Sequence, residues 1–251
     1  MKKEDIIGIT IIRNESEIIK DTLNHFSTIC GGGIVVVDDA STDDTYSKCM
    51  EHPAVINAVR NSDWESNRIL AQGKLRNIAL LTARDRNPKW IFYFDADERP
   101  EINIEALDET SFDAFALRLF DFYITKDDVG KSYKFRTKMG PEYRDILMLF
   151  RDSPNISFNK SNREPTLPKT YRKLKSGYVK HYGKAISVKE WEETCDYYDN
   201  NMRKQYGDKW AKRKGKAIHI MSDFGLPLIT WDERIEKGIA MRLAEKQFNK
   251  K

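Results

Sequence analysis

Two aspartates one residue apart, Asp95 and Asp97, follow the most hydrophobic short run in the chain, residues 90–94. A second acidic pair, Asp38-Asp39, closes another apolar run, and a third polar cluster, Arg13-Asn14-Glu15, follows the first. Carboxylates are hard oxygen donors, so an Asp-x-Asp turn suits Mg²⁺ or Mn²⁺, with phosphate oxygens and water completing the coordination shell. Alone, Asp-x-Asp-Glu is equally what a solvated acidic turn looks like. Its place after a buried-type strand is what turns it toward a ligand, because in open parallel sheets the crevice lies beyond the carboxyl ends of the strands. Sequence-distant acids gathered on that edge repel one another, and a divalent cation holding a diphosphate would offset the repulsion.

The elements that must position these groups alternate. Ile6–Ile12 and residues 34–37 read as buried strands. Between them Ile18, Ile19, Thr22, Leu23, Phe26, Ile29 and Cys30 recur on one helical face, opened by Asn14 and Glu17 at capping-box spacing and stopped by Gly31 to Gly33. Strand, helix and strand imply a parallel pair with a right-handed crossover. Residues 45–51 predict a short helix, 54–59 a third strand and 68–84 a helix carrying Ile69, Leu75, Ile78, Ala79 and Leu81. Beyond Pro100 the pattern loosens into strand-like runs at 112–120, 146–150 and 178–181, divided by polar, proline-containing loops. Two helices are expected in the tail, over 188–206 and 231–248, the second opened by a Thr230–Glu233 capping box.

The expected fold class is therefore α/β, a Rossmann-like, mostly parallel central sheet flanked by helices. Residues 1–100 would form a nucleotide-binding half, 101–186 a mixed acceptor and catalytic half, and 187–251 a helical extension. A chain of 251 residues can bury one full core, and no apolar run approaches the ~20 residues that cross a bilayer. The opening MKKEDIIGITII, with Glu4 and Asp5 before the apolar run and Arg13 after it, reads as a first strand rather than a signal peptide. Cys30, Cys49 and Cys195 are widely spaced, which suggests neither a disulfide framework nor zinc and fits a cytoplasmic protein. The net charge of +4, from 43 basic and 39 acidic residues, is too mild to predict a nucleic-acid partner and would suit an anionic substrate.

The motifs IGITIIRNESEIIKDTL, IVVVDDASTDDT, GKLRNIAL and WIFYFDADER, in that order, resemble the family 2 glycosyltransferases of the GT-A fold, particularly bacterial members that build lipopolysaccharide core or similar glycans. The match is good over about the first hundred residues and looser to about Tyr198. It implies an inverting sugar transfer from a nucleotide-sugar, UDP-sugar first, to a glycan, lipid-linked or protein acceptor, with Mn²⁺ or Mg²⁺ as cofactor. By that resemblance Thr10, Arg13 and Glu15 would line the nucleotide pocket, Asp39 would take the base through its ring N–H, and Asp38 would support the loop. Lys74 and Arg76 would approach the diphosphate, although the family's Ala-Arg-Asn is Leu-Arg-Asn here. Asp95 would contact ribose or metal and Asp97 would ligate the metal. The later motifs appear as Leu149-Phe150-Arg151, Arg163-Glu164 and His181-Tyr182-Gly183, with arginine where histidine is common before the acid. They make Glu164 the general base that accepts the acceptor proton and His181 a third metal ligand.

Each residue also has a purely structural use. Asn14 would cap its helix, Asp38 would tie its loop through Ser41 and Thr42, and Lys74 and Arg76 would be helix-surface charges. The aromatics Phe120, Phe122, Tyr123, Tyr133, Phe135, Trp191, Tyr197 and Tyr198 are expected mainly in cores. The basic stretch 209–216, with Arg172, Lys173 and Lys175, is expected as a solvated face, with peripheral contact to the inner face of a membrane as the sharper reading. Two rival functions predict other features. A nucleotidyltransferase would need a glycine-rich phosphate loop by the first strand, which IGITIIRNESE lacks. A non-catalytic nucleotide- or nucleic-acid-binding module would have no need of the retained acids.

Overall fold

The computed structural model describes residues 1–159 and 163–233. They form two units, Met1–Leu117 with Ile146–Gly177, and Arg118–Asp145 with the described residues from Tyr178 onward.

The strands are β1 (Ile6–Ile12), β2 (Ile34–Asp39), β3 (Val55–Asn61), β4 (Trp90–Tyr93), β5 (Glu98–Glu101), β6 (Ala114–Phe122), β7 (Lys138–Arg151), β8 (Ser157–Phe158), β9 (Pro165–Thr166), β10 (Lys173–His181) and β11 (Ile229–Thr230). The helices are α1 (Ile19–Ser27), α2 (Thr45–Met50), α3 (Arg68–Arg84) and α4 (Val188–Tyr206). In the first unit the sheet runs β3-β2-β1-β4-β7-β6-β10-β5. Its first four strands are parallel, with Gly8 opposite Ile34 and Ile6 opposite Trp90, and β7 turns antiparallel with Trp90 opposite Arg151. The fold is thus α/β with a large, mixed sheet whose parallel half carries the early motifs.

Every residue of β2 and β4 is buried, and β1 is buried but for Ile11. Near-continuous apolar strands of this kind need helices on both faces. On one side α3 lays Leu75, Ala79 and Ala83 against Ile7, Ile9, Val35, Val37 and Ile91. On the other alternation of the strands, Phe26 of α1 stacks on Phe94 at 3.5 Å between centroids and meets Phe92 edge-on at 5.6 Å. Burial of these large rings fixes β4 relative to α1, and so fixes where the turn after β4 emerges.

The second unit holds the continuations of β6, β7 and β10, with β11 antiparallel to β7 through Ile229 and Met139. Helix α4 has the predicted bounds, is capped by the Ser187 hydroxyl accepting from the Glu190 N–H, and buries Trp191 and Cys195 with Ala217. Thr230 and Glu233 exchange backbone-to-side-chain bonds as a capping box requires, but the rest of the expected 231–248 helix lies outside the described residues. No helix among the described residues is long and apolar enough to cross a membrane.

Two expectations are corrected. Helix α1 begins at Ile19 with Ile18 at its N-cap and no side-chain cap, so Asn14 and Glu17 do not form a capping box there. Asn14 instead adopts a left-handed φ of 53° and its Oδ1 accepts the Thr42 N–H at 2.8 Å, which is a bond to the loop after β2. The run expected over 146–150 is the end of a 14-residue strand, β7, whose earlier half the periodicity hides because Glu142 and Arg144 interrupt it.

Candidate functional site

Because β1, β2 and β4 are parallel neighbours in close register, Ile12 opposite Asp38 and Ile9 opposite Tyr93, their carboxyl ends share one edge of the sheet. Arg13, Asp38-Asp39 and Asp95 to Asp97 all leave the sheet there. Two shallow depressions among the described residues, beside Arg84 to Pro88 and beside Asp5 and Lys89, lie toward the start of β4, the opposite strand end. Chemistry, not concavity, picks out the site.

The β1–β2 side is tightly tied. Arg13 donates to the carbonyls of Asp39 at 2.6 Å and Ala40 at 2.5 Å, which holds the β2 turn against the end of β1. The Asn14 N–H donates to the Ser41 hydroxyl and the Glu15 N–H to the Thr45 hydroxyl, at 3.0 and 2.8 Å. Thr10 is fully buried within β1, its hydroxyl 3.5 Å from the Ile11 carbonyl. Asp38 accepts the Ser41 N–H at 3.2 Å, the loop-tying role expected of it, and lies 3.7 Å from Arg60.

Asp39 is buried, and its carboxylate is already engaged. Asn61 donates to Oδ1 at 3.2 Å, and Arg68, itself buried at the start of α3, pairs with Oδ2. Trp64 contacts two guanidinium groups, its ring centroid 3.8 Å from Arg13 and 3.8 Å from Arg68. Two cation–π contacts thus tie this indole to the guanidinium groups that hold Asp39 and its loop.

On the β4 side, Asp95 accepts from the Tyr93 hydroxyl at 2.8 Å and from Arg163 Nε at 2.9 Å, while its own N–H donates to Glu98 at 2.9 Å. Arg163 Nη2 reaches both oxygens of the buried Glu98, at 2.6 and 2.5 Å, and Arg76 Nε donates to the Tyr93 hydroxyl at 2.9 Å. Burial alone would raise the pKa of Asp95; Arg163 and then Arg76 outweigh it and hold the carboxyl at about 2. Arg76 is buried, so of the two basic residues in GKLRN it is the one turned inward. Lys74 is exposed and pairs with Glu65 at 3.0 Å. Asp97 is half-buried in the turn after β4. Glu164 is exposed, and its Oε1 accepts the Leu147 N–H at 2.8 Å, anchoring it to β7.

In the second unit, His181 Nδ1 is 2.5 Å from Asp121 Oδ1, and Lys184 donates to Asp121 Oδ2 at 2.7 Å, with Arg144 at 3.4 Å. Lys184 also reaches Asp223 at 2.7 Å, which Arg213 meets at 2.5 Å. Burial would raise the pKa of Asp121, but Lys184, His181 and Arg144 hold it well below the usual carboxylate range. A depressed folded pKa contributes stability that is complete above the unfolded value, about 3.9, and is lost as pH falls through the lower folded one. Asp121→Asn is therefore expected to cost about 2–3 kcal/mol at pH 7, in urea unfolding, with the gap from wild type narrowing below about pH 4. A gap that is the same at pH 3 and pH 7 would contradict the assigned ionisation. Of the aromatics, Phe120, Phe122, Tyr123, Tyr133 and Trp191 are core, as expected, whereas Phe135 is 68% exposed. Within the basic stretch Arg213 and Lys214 are paired, with Asp223 and Asp196.

No protein-family model matches the chain, and none of the curated proteins compared matches it. Solved structures similar to it include two sugar-phosphoglycerate synthases and HddC. Glucosyl-3-phosphoglycerate synthase from Mycobacterium tuberculosis, in complex with Mn²⁺, UDP and glucosyl-3-phosphoglycerate, is 18% identical, with 47% of this chain and 43% of that one covered at a TM-score of 0.30. Mannosyl-3-phosphoglycerate synthase from Rubrobacter xylanophilus is 17% identical over 53% of this chain and 44% of that one, with a TM-score of 0.31. HddC from Yersinia pseudotuberculosis is 9% identical over 77% and 99%, with a TM-score of 0.34. The chain thus spans less than half the length of the two synthases. Similarities at this level transfer neither a residue nor an activity.

Motif reading missed Asn61, Trp64, Arg68, Tyr93 and Glu98. Arg68 opens α3, where a basic residue looks like an ordinary helix-surface charge, and no spacing ties it to Asp39, which lies 29 residues away. Glu98 was legible only as part of an acidic turn. Among the described residues, no three or more His, Cys, Asp and Glu side chains are gathered as a metal would need.

Proposed function

We propose that the chain is a glycosyltransferase that takes a nucleotide-sugar, UDP-sugar first, and moves the sugar with inversion to an acceptor hydroxyl. The observation that carries this is the convergence of three polar strand ends, Arg13, Asp39 and Asp95-x-Asp97, on one edge of a parallel sheet. That is where an α/β sheet binds its ligand.

In this reading Thr10, Arg13, Glu15 and Asp39 surround the nucleoside and Arg76 faces the diphosphate, while Lys74, two residues earlier on α3, would approach it only by leaving Glu65. For a hard divalent cation Asp97 and Asp95 would offer carboxylate oxygens, with phosphate oxygens and water completing the shell. Such a cation, Mn²⁺ or Mg²⁺, would neutralise charge on the departing diphosphate. Glu164 is the general base. With Oε1 held on the Leu147 N–H, its other oxygen would take the acceptor hydroxyl proton as the sugar bond to phosphate breaks.

The test needs no acceptor. A panel of nucleotide-sugars is incubated with Mn²⁺, Mg²⁺ or a chelator, and sugar and diphosphate release are followed separately. Metal-dependent release of sugar and nucleoside diphosphate from a UDP-sugar is expected. No turnover of the nucleotide-sugars, with release of inorganic diphosphate from a nucleoside triphosphate supplied together with a sugar 1-phosphate, would instead indicate nucleotidyl transfer, and salt-sensitive RNA binding without UDP affinity would indicate a binding module.

A further inference from the structure

Arg163 stands immediately before the proposed base, two residues ahead of β9, and its guanidinium is used along one edge only. Nε is bonded to Asp95 at 2.9 Å and Nη2 to Glu98 at 2.6 and 2.5 Å. The group also lies over the Tyr93 ring, 5.1 Å from its centroid. The remaining nitrogen, Nη1, is buried and has no hydrogen-bond partner. A guanidinium carries five donors in a rigid plane, so fixing Nε and Nη2 also fixes the direction of the two N–H bonds on Nη1. Buried donors are satisfied as a rule, and an exception needs a reason.

A merely structural cation at this place would need only to balance Asp95 and Glu98. A lysine would do that, without leaving a second, aimed edge. The partner that Nη1 lacks must be an acceptor, and the group next to Asp95 in the proposed site is the anionic part of the donor. We propose that Arg163 is a diphosphate-holding residue: Asp95 and Glu98 fix the plane, and Nη1 donates to a phosphoryl oxygen of the nucleotide-sugar. The inference rests on the donor-site reading above and adds a residue to it. It also gives a use to the departure from histidine at this position. A planar fork holds two carboxylates and a phosphoryl oxygen at once, which an imidazole cannot do.

The experiment is calorimetric titration of UDP and, separately, of uridine, with Mn²⁺ present, into wild type and Arg163→Lys. Lysine keeps the positive charge beside Asp95 and Glu98 but removes the second edge. A charge-assisted hydrogen bond lost from the ligand corresponds to roughly 10- to 100-fold weaker UDP binding, while uridine binding stays within about twofold, as it lacks the phosphates. Thermal melting reports whether the variant is folded. If Arg163→Lys loses its cooperative melt, the double variant Arg163→Gln with Glu98→Gln removes the guanidinium together with its buried counter-charge, and the same selective loss is expected. Equal UDP affinity in wild type and variant overturns the role of Arg163 alone, as does a parallel loss of uridine. Wild type that binds neither UDP nor uridine overturns the donor-site reading and this residue with it.

Discussion

Asp97→Asn is expected to abolish metal-dependent donor turnover, by about 10³-fold or more, and to shift the melting temperature by no more than a few degrees. Asparagine keeps the size and an acceptor oxygen of the side chain but removes the negative charge that a hard cation requires. Asp97 is the cleaner probe of the two aspartates. Asp95 is bonded to Arg163 and Tyr93, so changing it would also release a buried network. Asp97 is half-buried in the turn that follows β4, and the melt reports what its own contacts contribute to the fold. The assay is release of sugar from the best UDP-sugar at saturating Mn²⁺, beside a thermal melt. Turnover within about threefold of wild type in a folded variant would remove Asp97 from the metal and end the mechanism built on it.

The second large effect is on stability. Arg68→Ala is expected to cost about 3–5 kcal/mol, because it strands the buried carboxylate of Asp39 with only Asn61 as a partner. The same change takes one guanidinium from the face of Trp64, which adds to the loss. Pairing it with Asp39→Asn removes the stranded charge, so the double variant should recover a large part of what the single one loses. Urea unfolding of wild type, both single variants and the double variant measures this directly. A single-variant loss under about 1 kcal/mol would mean that the pair is open to solvent.

How much of this could be read in advance differs from element to element. The strands β1, β2 and β4 announce themselves because burial on both faces demands unbroken apolar runs, and α3 because its inward residues recur at helical spacing. Their ends then place Asp39, Asp95 and Asp97 on one edge without further information. The partners of those acids are a different matter. Asp95 meets Arg163 across 68 residues, His181 meets Asp121 across 60, and Asn14 meets Thr42 across 28. Local pattern carries no trace of such pairs, since each is decided by which loops the packed sheet brings together. Asn14 shows the cost. Its type and spacing suit a helix cap, but its bond is to the next crossover loop, because the backbone there turns left-handed before α1 begins. The early half of β7 is hidden for a related reason: Glu142 breaks the apolar run in print, yet is buried against the Ser222 hydroxyl in the second unit.

The pairing of Asp39 with Arg68, whose guanidinium also contacts Trp64, bears on the thermodynamics of recognition as well. A nucleobase that took this carboxylate, as proposed, would do so by exchange, one donor leaving as another arrives, and not by meeting a bare acid. The free energy released is then the small difference between two satisfied arrangements, and the affinity measured from outside is lowered by whatever the displaced guanidinium loses on departure. Selectivity gains from the same circumstance: a base edge that matches the acid poorly cannot dislodge what is already there.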